Sequence, residues 1–303
     1  MKKDKQIIVP AITPLTSDFK LDEGALEKIF ESFLGHRVMP FILGTTGEAA
    51  SVPLHMKKQY VKTAVRHRNP GIFLYAGIAS NCLEDSIDFG KYCFDNGVDV
   101  VAAHLPSYYS LSNKEIRNYF EQLADYLPGP LIIYNIPGTT HMSIPLEIIE
   151  QLSYHPNIIG TKDSERSDER LNTSMHLWKK RDDFVHYLGW AARSAYALIN
   201  GSDGLIPSTG NLSPGIYRQM VDAVEKSDKD LAFIYQQQSD KLGEIYQKGR
   251  LLGESLWALK LLMHHEGLCE HFVMPPLQPL SQADELKLIA DYESFKKQNI
   301  LKV

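Results

Sequence analysis

Short runs of aliphatic and β-branched residues alternate along the chain with longer segments whose apolar positions recur every three or four residues. The runs cover residues 7–12, 39–43, 72–78, 98–103, 131–135, 158–161, 184–188 and 204–206. Their length and composition predict strands, and their lack of polar alternation predicts strands covered on both faces. The intervening segments include 23–34, 54–67, 83–96 and 113–126, each read as a helix with one buried face. Punctuation supports these bounds. Ser112 with Glu115 three residues on has the form of a capping box, and Pro128-Gly129-Pro130 stops the helix that follows. Pro53 and Pro145 sit where first-turn prolines are tolerated.

Eight strand–helix repeats in this order predict a parallel sheet closed into a (β/α)8 barrel, an α/β fold. After about residue 211 the strand pattern stops. Segments 215–226, 229–248, 251–264 and 282–299 all have helical period. The expected organisation is a barrel over 1–224 that carries the active site, followed by an all-α unit over 225–303.

Composition narrows the function classes. The formal charge is −5 over 303 residues, so the basic patch of a nucleic-acid binder is not expected. No run is long enough to span a membrane. The start is basic (Met1-Lys2-Lys3-Asp4-Lys5), but the apolar stretch behind it is short and contains Pro10, so no secretory signal is expected. Cys82, Cys93 and Cys269 form no CxxC pair, which points to a reducing cytoplasm and to neither a disulfide framework nor structural zinc.

Active sites of such barrels lie at the C-terminal ends of the strands, so the polar residues closing each apolar run are the candidates. Run two ends in Gly44-Thr45-Thr46-Gly47-Glu48, and run four leads into Pro106-Ser107-Tyr108-Tyr109. Run five ends in Tyr134-Asn135-Ile136-Pro137-Gly138, and run six in Gly160-Thr161-Lys162-Asp163-Ser164. A lysine closing an apolar strand is expected to point into the barrel mouth. Burial there disfavours the ammonium and frees a nucleophilic amine. Position alone also allows a surface lysine beside Asp163. Tyr134, closing the neighbouring strand, brings a phenol that can move protons for such an amine, although alone it reads as a core aromatic. The two glycines of the 44–48 segment permit a tight turn whose N–H groups and hydroxyls suit a carboxylate, with Glu48 either structural or functional.

Together these motifs resemble the dihydrodipicolinate synthase / N-acetylneuraminate lyase family of class I pyruvate-dependent aldolases. The likeness runs from Thr13-Pro14 to about residue 280. It implies a Schiff base on Lys162, general acid/base work by Tyr134, and Thr45 and Thr46 at the proton relay and the keto-acid carboxylate. It also implies Gly47 among the substrate-binding residues, Ile206 facing the keto acid through its carbonyl, and Tyr108 (in preference to Tyr109) lent to a neighbouring subunit. A homo-oligomer, dimer or tetramer, is expected, with a 2-keto acid and an aldehyde as small-molecule partners and neither metal nor diffusible cofactor.

Two departures bear on the substrate. Where the synthases carry an arginine for the second substrate's carboxylate, this chain has Thr139. Where sugar-acid lyases carry acids after the strand-seven glycine, it reads Gly189-Trp190-Ala191-Ala192, with Arg193 close by as a compensating charge. Asp85 stands where a feedback glutamate is expected. The main expectation is therefore an aldolase or lyase of 2-keto-3-deoxy acid type. Dihydrodipicolinate synthase and a catalytically silent ligand-binding protein are the alternatives. The alternating charges of 163–170 are read as a solvated helix start, His264-His265 as surface or interface histidines, and 257–263 as a domain core or oligomer contact.

Overall fold

The computed structural model describes residues 4–69 and 71–298. Residues 1–3 of the basic start and residue 299 of the last expected helix lie outside them. Eight parallel strands close in chain order. They are β1 (Gln6–Pro10), β2 (Met39–Ile42), β3 (Tyr75–Gly77), β4 (Val100–Ala103), β5 (Leu131–Asn135), β6 (Ile158–Asp163), β7 (Val185–Leu188) and β8 (Gly204–Leu205). Between them run α1 (Glu23–Gly35), α2 (Leu54–His67), α3 (Leu83–Asp95), α4 (Asn113–Tyr126), α5 (Pro137–Thr140), α6 (Leu146–Leu152), α7 (Asp168–Trp178) and α8 (Ser194–Asn200). Four helices follow: α9 (Pro214–Glu225), α10 (Lys229–Gln247), α11 (Leu252–His265) and α12 (Gln282–Gln298). No helix among the described residues is long and apolar enough to cross a membrane.

The uniformly apolar strands are explained by two cores. Ile8, Phe41, Tyr75, Val100, Ile132 and Tyr187 fill the barrel interior. Their neighbours, such as Ile7, Ile42, Val101 and Ile133, point outward into a larger cluster shared with the helices. Several strands are shorter than their apolar runs. Leu74 and Val98 are buried but lie outside β3 and β4, because hydrophobicity records burial and not strand pairing. The expected capping box at the start of α4 is present, with Ser112 N donating to Glu115 Oε2 over 2.7 Å.

Two local features position the barrel mouth. Between β5 and β6 the register shifts by one residue, so that Leu131 pairs with Ile158 and Ile132 with Gly160. The shift brings Tyr134 opposite Lys162. Without it Thr161 would stand there, and Lys162 would face the helices. Beyond β2 the chain turns through two non-glycine residues in the left-handed region, Leu43 (φ 55°) and Glu48 (φ 56°). This turn leans on β3, where a Cβ at Gly77 would lie 2.1 Å from the Leu43 carbonyl oxygen, so only glycine fits.

The C-terminal helices are joined to this turn by a buried charge pair. On α11, every residue from Ser255 to Met263 is buried, Lys260 among them. Its Nζ lies 2.5 Å from Glu48 Oε1 and donates to the Phe272 carbonyl over 2.7 Å. Met274 N donates to the other carboxylate oxygen over 2.6 Å. Glu48 is thus structural, fixing the end of the Gly44–Glu48 turn to the helical segment. Removing one charge leaves the other uncompensated in the core, so Lys260→Met is expected to cost ~3–5 kcal/mol of stability. The double change Lys260→Met/Glu48→Gln should recover at least half of that loss, as measured by urea denaturation.

Candidate active site

Lys162 is buried at the C-terminal end of β6, with its Nζ 3.8 Å from the centroid of the Tyr134 ring and 4.9 Å from that of Phe41. Burial disfavours the ammonium and pulls the lysine pKa below its ordinary value, while the Tyr134 phenol pulls the other way. The Tyr134 hydroxyl in turn lies 3.3 Å from Thr45 Oγ1. Amine, phenol and threonine hydroxyl therefore form a chain across the ends of β6, β5 and β2. His104 completes the aromatic surround, edge-on to Tyr134 at 6.1 Å, and burial holds its imidazole toward the neutral form.

These groups form the floor of a cavity of about 1030 Å³. Thr45, Thr46, Tyr134, Thr139, Lys162 and Ile206 all line it. Two of the sequence candidates do not. Gly47 lies beneath the turn, where its carbonyl accepts from Thr13 Oγ1 over 2.6 Å. A Cβ there would stand 3.0 Å from Ala11 O and Leu43 N, so close backbone packing explains this glycine. Tyr108 projects outward, 78% exposed, its ring edge-on to Tyr109 at 4.9 Å, and does not reach this chain's own cavity.

The charged run after Lys162 is in part the expected solvated helix start, with Asp168 and Glu169 exposed in the first turn of α7, but its two ends are buried. On the outer face of the same two strands, Asp163 and Arg170 form an ion pair of 2.6 Å with side chains 5% and 10% exposed. Asn135 Nδ2 donates to both oxygens of Asp163 at 3.3 Å, and Glu165 N donates to Asp163 Oδ1 over 2.9 Å. Burial raises the Asp163 pKa and the guanidinium opposes that rise. Because alternate residues of a strand face opposite ways, pinning Asn135 and Asp163 outside fixes Tyr134 and Lys162 inside. The signal was present in the sequence as two adjacent pairs, 134/135 and 162/163.

Trp190 lines the upper cavity. Arg193 is not a spare charge: its guanidinium stacks over Trp190 at 4.9 Å and donates to both oxygens of Asp168 over 2.6 and 2.8 Å. Other groups on the wall were missed. Arg166, from the loop after β6, and Tyr246, Gln247 and Arg250, from the end of α10 and beyond, all line the cavity. Nothing in the local sequence pattern of the helical segment announces its arrival at the barrel mouth.

The family model described as the Dihydrodipicolinate synthetase family matches residues 3–294. The chain belongs to the dihydrodipicolinate synthetase family. A 4-hydroxy-tetrahydrodipicolinate synthase of Streptococcus mutans is 29% identical over 290 residues, covering 95% of this chain and 96% of the relative. An uncharacterized DapA-like lyase of Thermococcus onnurineus is also 29% identical, over 93% and 95% of the two chains. Among solved structures, the dihydrodipicolinate synthase of Bacteroides thetaiotaomicron superposes with a TM-score of 0.90 at 25% identity, covering 97% of this chain and 100% of that one. YagE, a prophage protein of E. coli K12 solved in complex with pyruvate, has a TM-score of 0.91 at 24% identity and shares the fold over 96% and 98% of the chains. The expected family and (β/α)8 barrel are therefore borne out. As a family member, this chain is a Schiff-base lyase of the class I aldolase type, acting on pyruvate or a related 2-keto acid.

The geometry predicts how Lys162 titrates. Desolvation lowers its pKa, so the neutral, reactive fraction grows with pH through a midpoint below the ordinary lysine value of 10.5. Competitive acetylation across a pH series, read peptide by peptide by mass spectrometry, should give Lys162 a lower midpoint than the exposed lysines.

Proposed function

We propose that Lys162 is the imine-forming residue and Tyr134 its proton carrier, in a reaction that makes or breaks a C–C bond of a 2-keto-3-deoxy acid. The observation that carries this reading is the buried Lys162 nitrogen over the Tyr134 ring at the floor of the cavity. The neutral amine attacks C2 of the keto acid, giving a carbinolamine. Tyr134 delivers a proton to the departing hydroxyl, which leaves as water and gives the protonated imine. Loss of a C3 proton then yields the enamine, whose C3 attacks an aldehyde carbon. The resulting alkoxide takes a proton, and water hydrolyses the imine to release product. Cleavage runs the same steps backward.

The turn after β2 suits the keto-acid carboxylate, with Thr45 and Thr46 both on the cavity wall. In our reading Thr45 also relays protons with Tyr134, Ile206 faces the keto acid through its carbonyl, and Thr139 lies toward the second substrate. Tyr108 serves the relay of a neighbouring subunit in a dimer or tetramer, a role that its exposed position at the rim supports. We assign the chemistry to the barrel, residues 1–224, and the upper cavity wall to the helical unit, 225–303. The free thiols Cys82, Cys93 and Cys269 suit a cytoplasmic enzyme. A silent ligand-binding role would leave the paired Lys162 and Tyr134 without a purpose. The names of the relatives favour 4-hydroxy-tetrahydrodipicolinate synthesis as a second reading. Against it stands Thr139, whose hydroxyl donates to the Ile136 carbonyl over 3.3 Å and offers no cation.

Borohydride reduction in the presence of pyruvate, followed by intact mass, tests the central assignment. Wild type should gain a stable adduct and Lys162→Ala none; an adduct on Lys162→Ala would remove the assignment. Tyr134→Phe should slow imine formation by about 10²-fold or more, the usual scale of a general acid/base group.

A further inference from the structure

Helix α11 ends in two exposed histidines, His264 and His265. The turn that follows decides their surroundings. Gly267 takes φ 74°, a conformation that favours glycine. Its N–H donates to the His264 carbonyl over 2.8 Å, and Leu268 N donates to the Met263 carbonyl over 3.0 Å. This pair of bonds closes the helix end and reverses the chain. Glu270 and His271 are carried back alongside the last turn of α11, where His264, Glu270 and His271 each offer a ligand atom within 4.8 Å of the other two. None of the three lines the barrel-mouth cavity.

The cluster has the features of a cation site. His264 Nδ1 lies 3.0 Å from the Cys269 carbonyl oxygen, a contact that orients the ring, and 3.5 Å from Glu270 Oε2. The His271 ring stands 4.7 Å from that of His264. It is held edge-on to Trp257 at 5.2 Å and stacked on Phe272 at 5.6 Å. Its Nδ1 is buried and has no hydrogen-bond partner among the described residues, a state that costs free energy until a partner is supplied. A neighbouring trio, His265, Glu266 and Glu293, is as compact but already holds a cation, because Lys296 Nζ lies 2.7 Å from both carboxylates. Glu270, by contrast, has only a histidine as ion-pair partner among the described residues.

We infer that His264, Glu270 and His271 bind a divalent ion of the zinc class, with water completing the coordination. Two imidazoles and one carboxylate suit such an ion, whereas magnesium and calcium favour all-oxygen sets. Tetrahedral bonds to zinc place ligand atoms about 3.4 Å apart, so the exposed side chains of His264 and Glu270 close by roughly an ångström onto the packed His271. The ion takes no part in the carbon–carbon chemistry, and this inference is independent of the Schiff-base reading. Its effect is mechanical: it clips residues 269–272 to the end of α11. Phe272 in that segment accepts from Lys260, and Met274 just beyond it donates to Glu48. The ion therefore reinforces the segment that braces the turn carrying Thr45 and Thr46.

Calorimetric titration of zinc chloride into the intact protein, stripped with EDTA and dialysed, tests the site. Wild type should bind one equivalent per chain with a Kd in the micromolar range or tighter. His264→Gln and His271→Gln should each weaken this binding by about tenfold or more, a loss on the scale of disturbing even an outer contact of a metal site. His265→Gln, one residue away, should leave it unchanged. Zinc should also raise the Tm of wild type and not that of His264→Gln, whose exposed side chain makes a folding defect no explanation. Magnesium chloride should do neither. Absence of stoichiometric zinc binding in wild type would overturn the inference. The same Kd in wild type, His264→Gln and His271→Gln would mark an adventitious ion only and overturn it as well, as would loss of binding in His265→Gln.

Discussion

A one-residue shift between β5 and β6 decides which side of the barrel wall Lys162 occupies, and the reactivity of its amine follows from that placement. Inside, the nitrogen meets aromatic faces and little water, so the uncharged form gains at the expense of the ammonium. Outside, it would join the Asp163–Arg170 network as one more cation. The strand ends are held from both sides: aromatic packing within, and the Asn135–Asp163–Arg170 cluster without. The buried cluster carries no reacting group, and its use lies in denying the strands another register.

Most of the barrel was legible in the sequence because a (β/α)8 fold repeats one pattern eight times, and each apolar run lies between an inner and an outer core. The floor of the site was legible for a related reason. Tyr134 and Lys162 lie next to last in β5 and β6 and Thr45 in the turn after β2, and in this architecture strand ends converge. The packing of Gly47 was not legible, because a turn glycine beneath a site and one within it read alike; only the contacts with Ala11 and Leu43 separate them. The buried state of Asp163 and Arg170 was missed because a charge run at a helix start usually faces water.

The upper cavity was the least legible part. Arg250 lies 88 residues beyond Lys162 in the chain, and no periodic pattern links them. The sequence identified the two gaps, at Thr139 and after Gly189, and suggested Arg193 to fill them. In the structure Arg193 is occupied by Asp168 and Trp190. The upper wall of the cavity comes instead from a long-range contact that local reading does not reach. The division is physical: the barrel carries the floor of the cavity, while loops and helices supply its upper wall.

The Glu48–Lys260 pair gives the helical segment a second purpose. Glu48 closes the same turn that presents Thr45 and Thr46, so the two threonines that line the cavity are braced from α11. A barrel cut free of its last helices would lose the counter-ion beneath that turn. The smallest autonomous catalyst that this chain can furnish is therefore larger than the barrel.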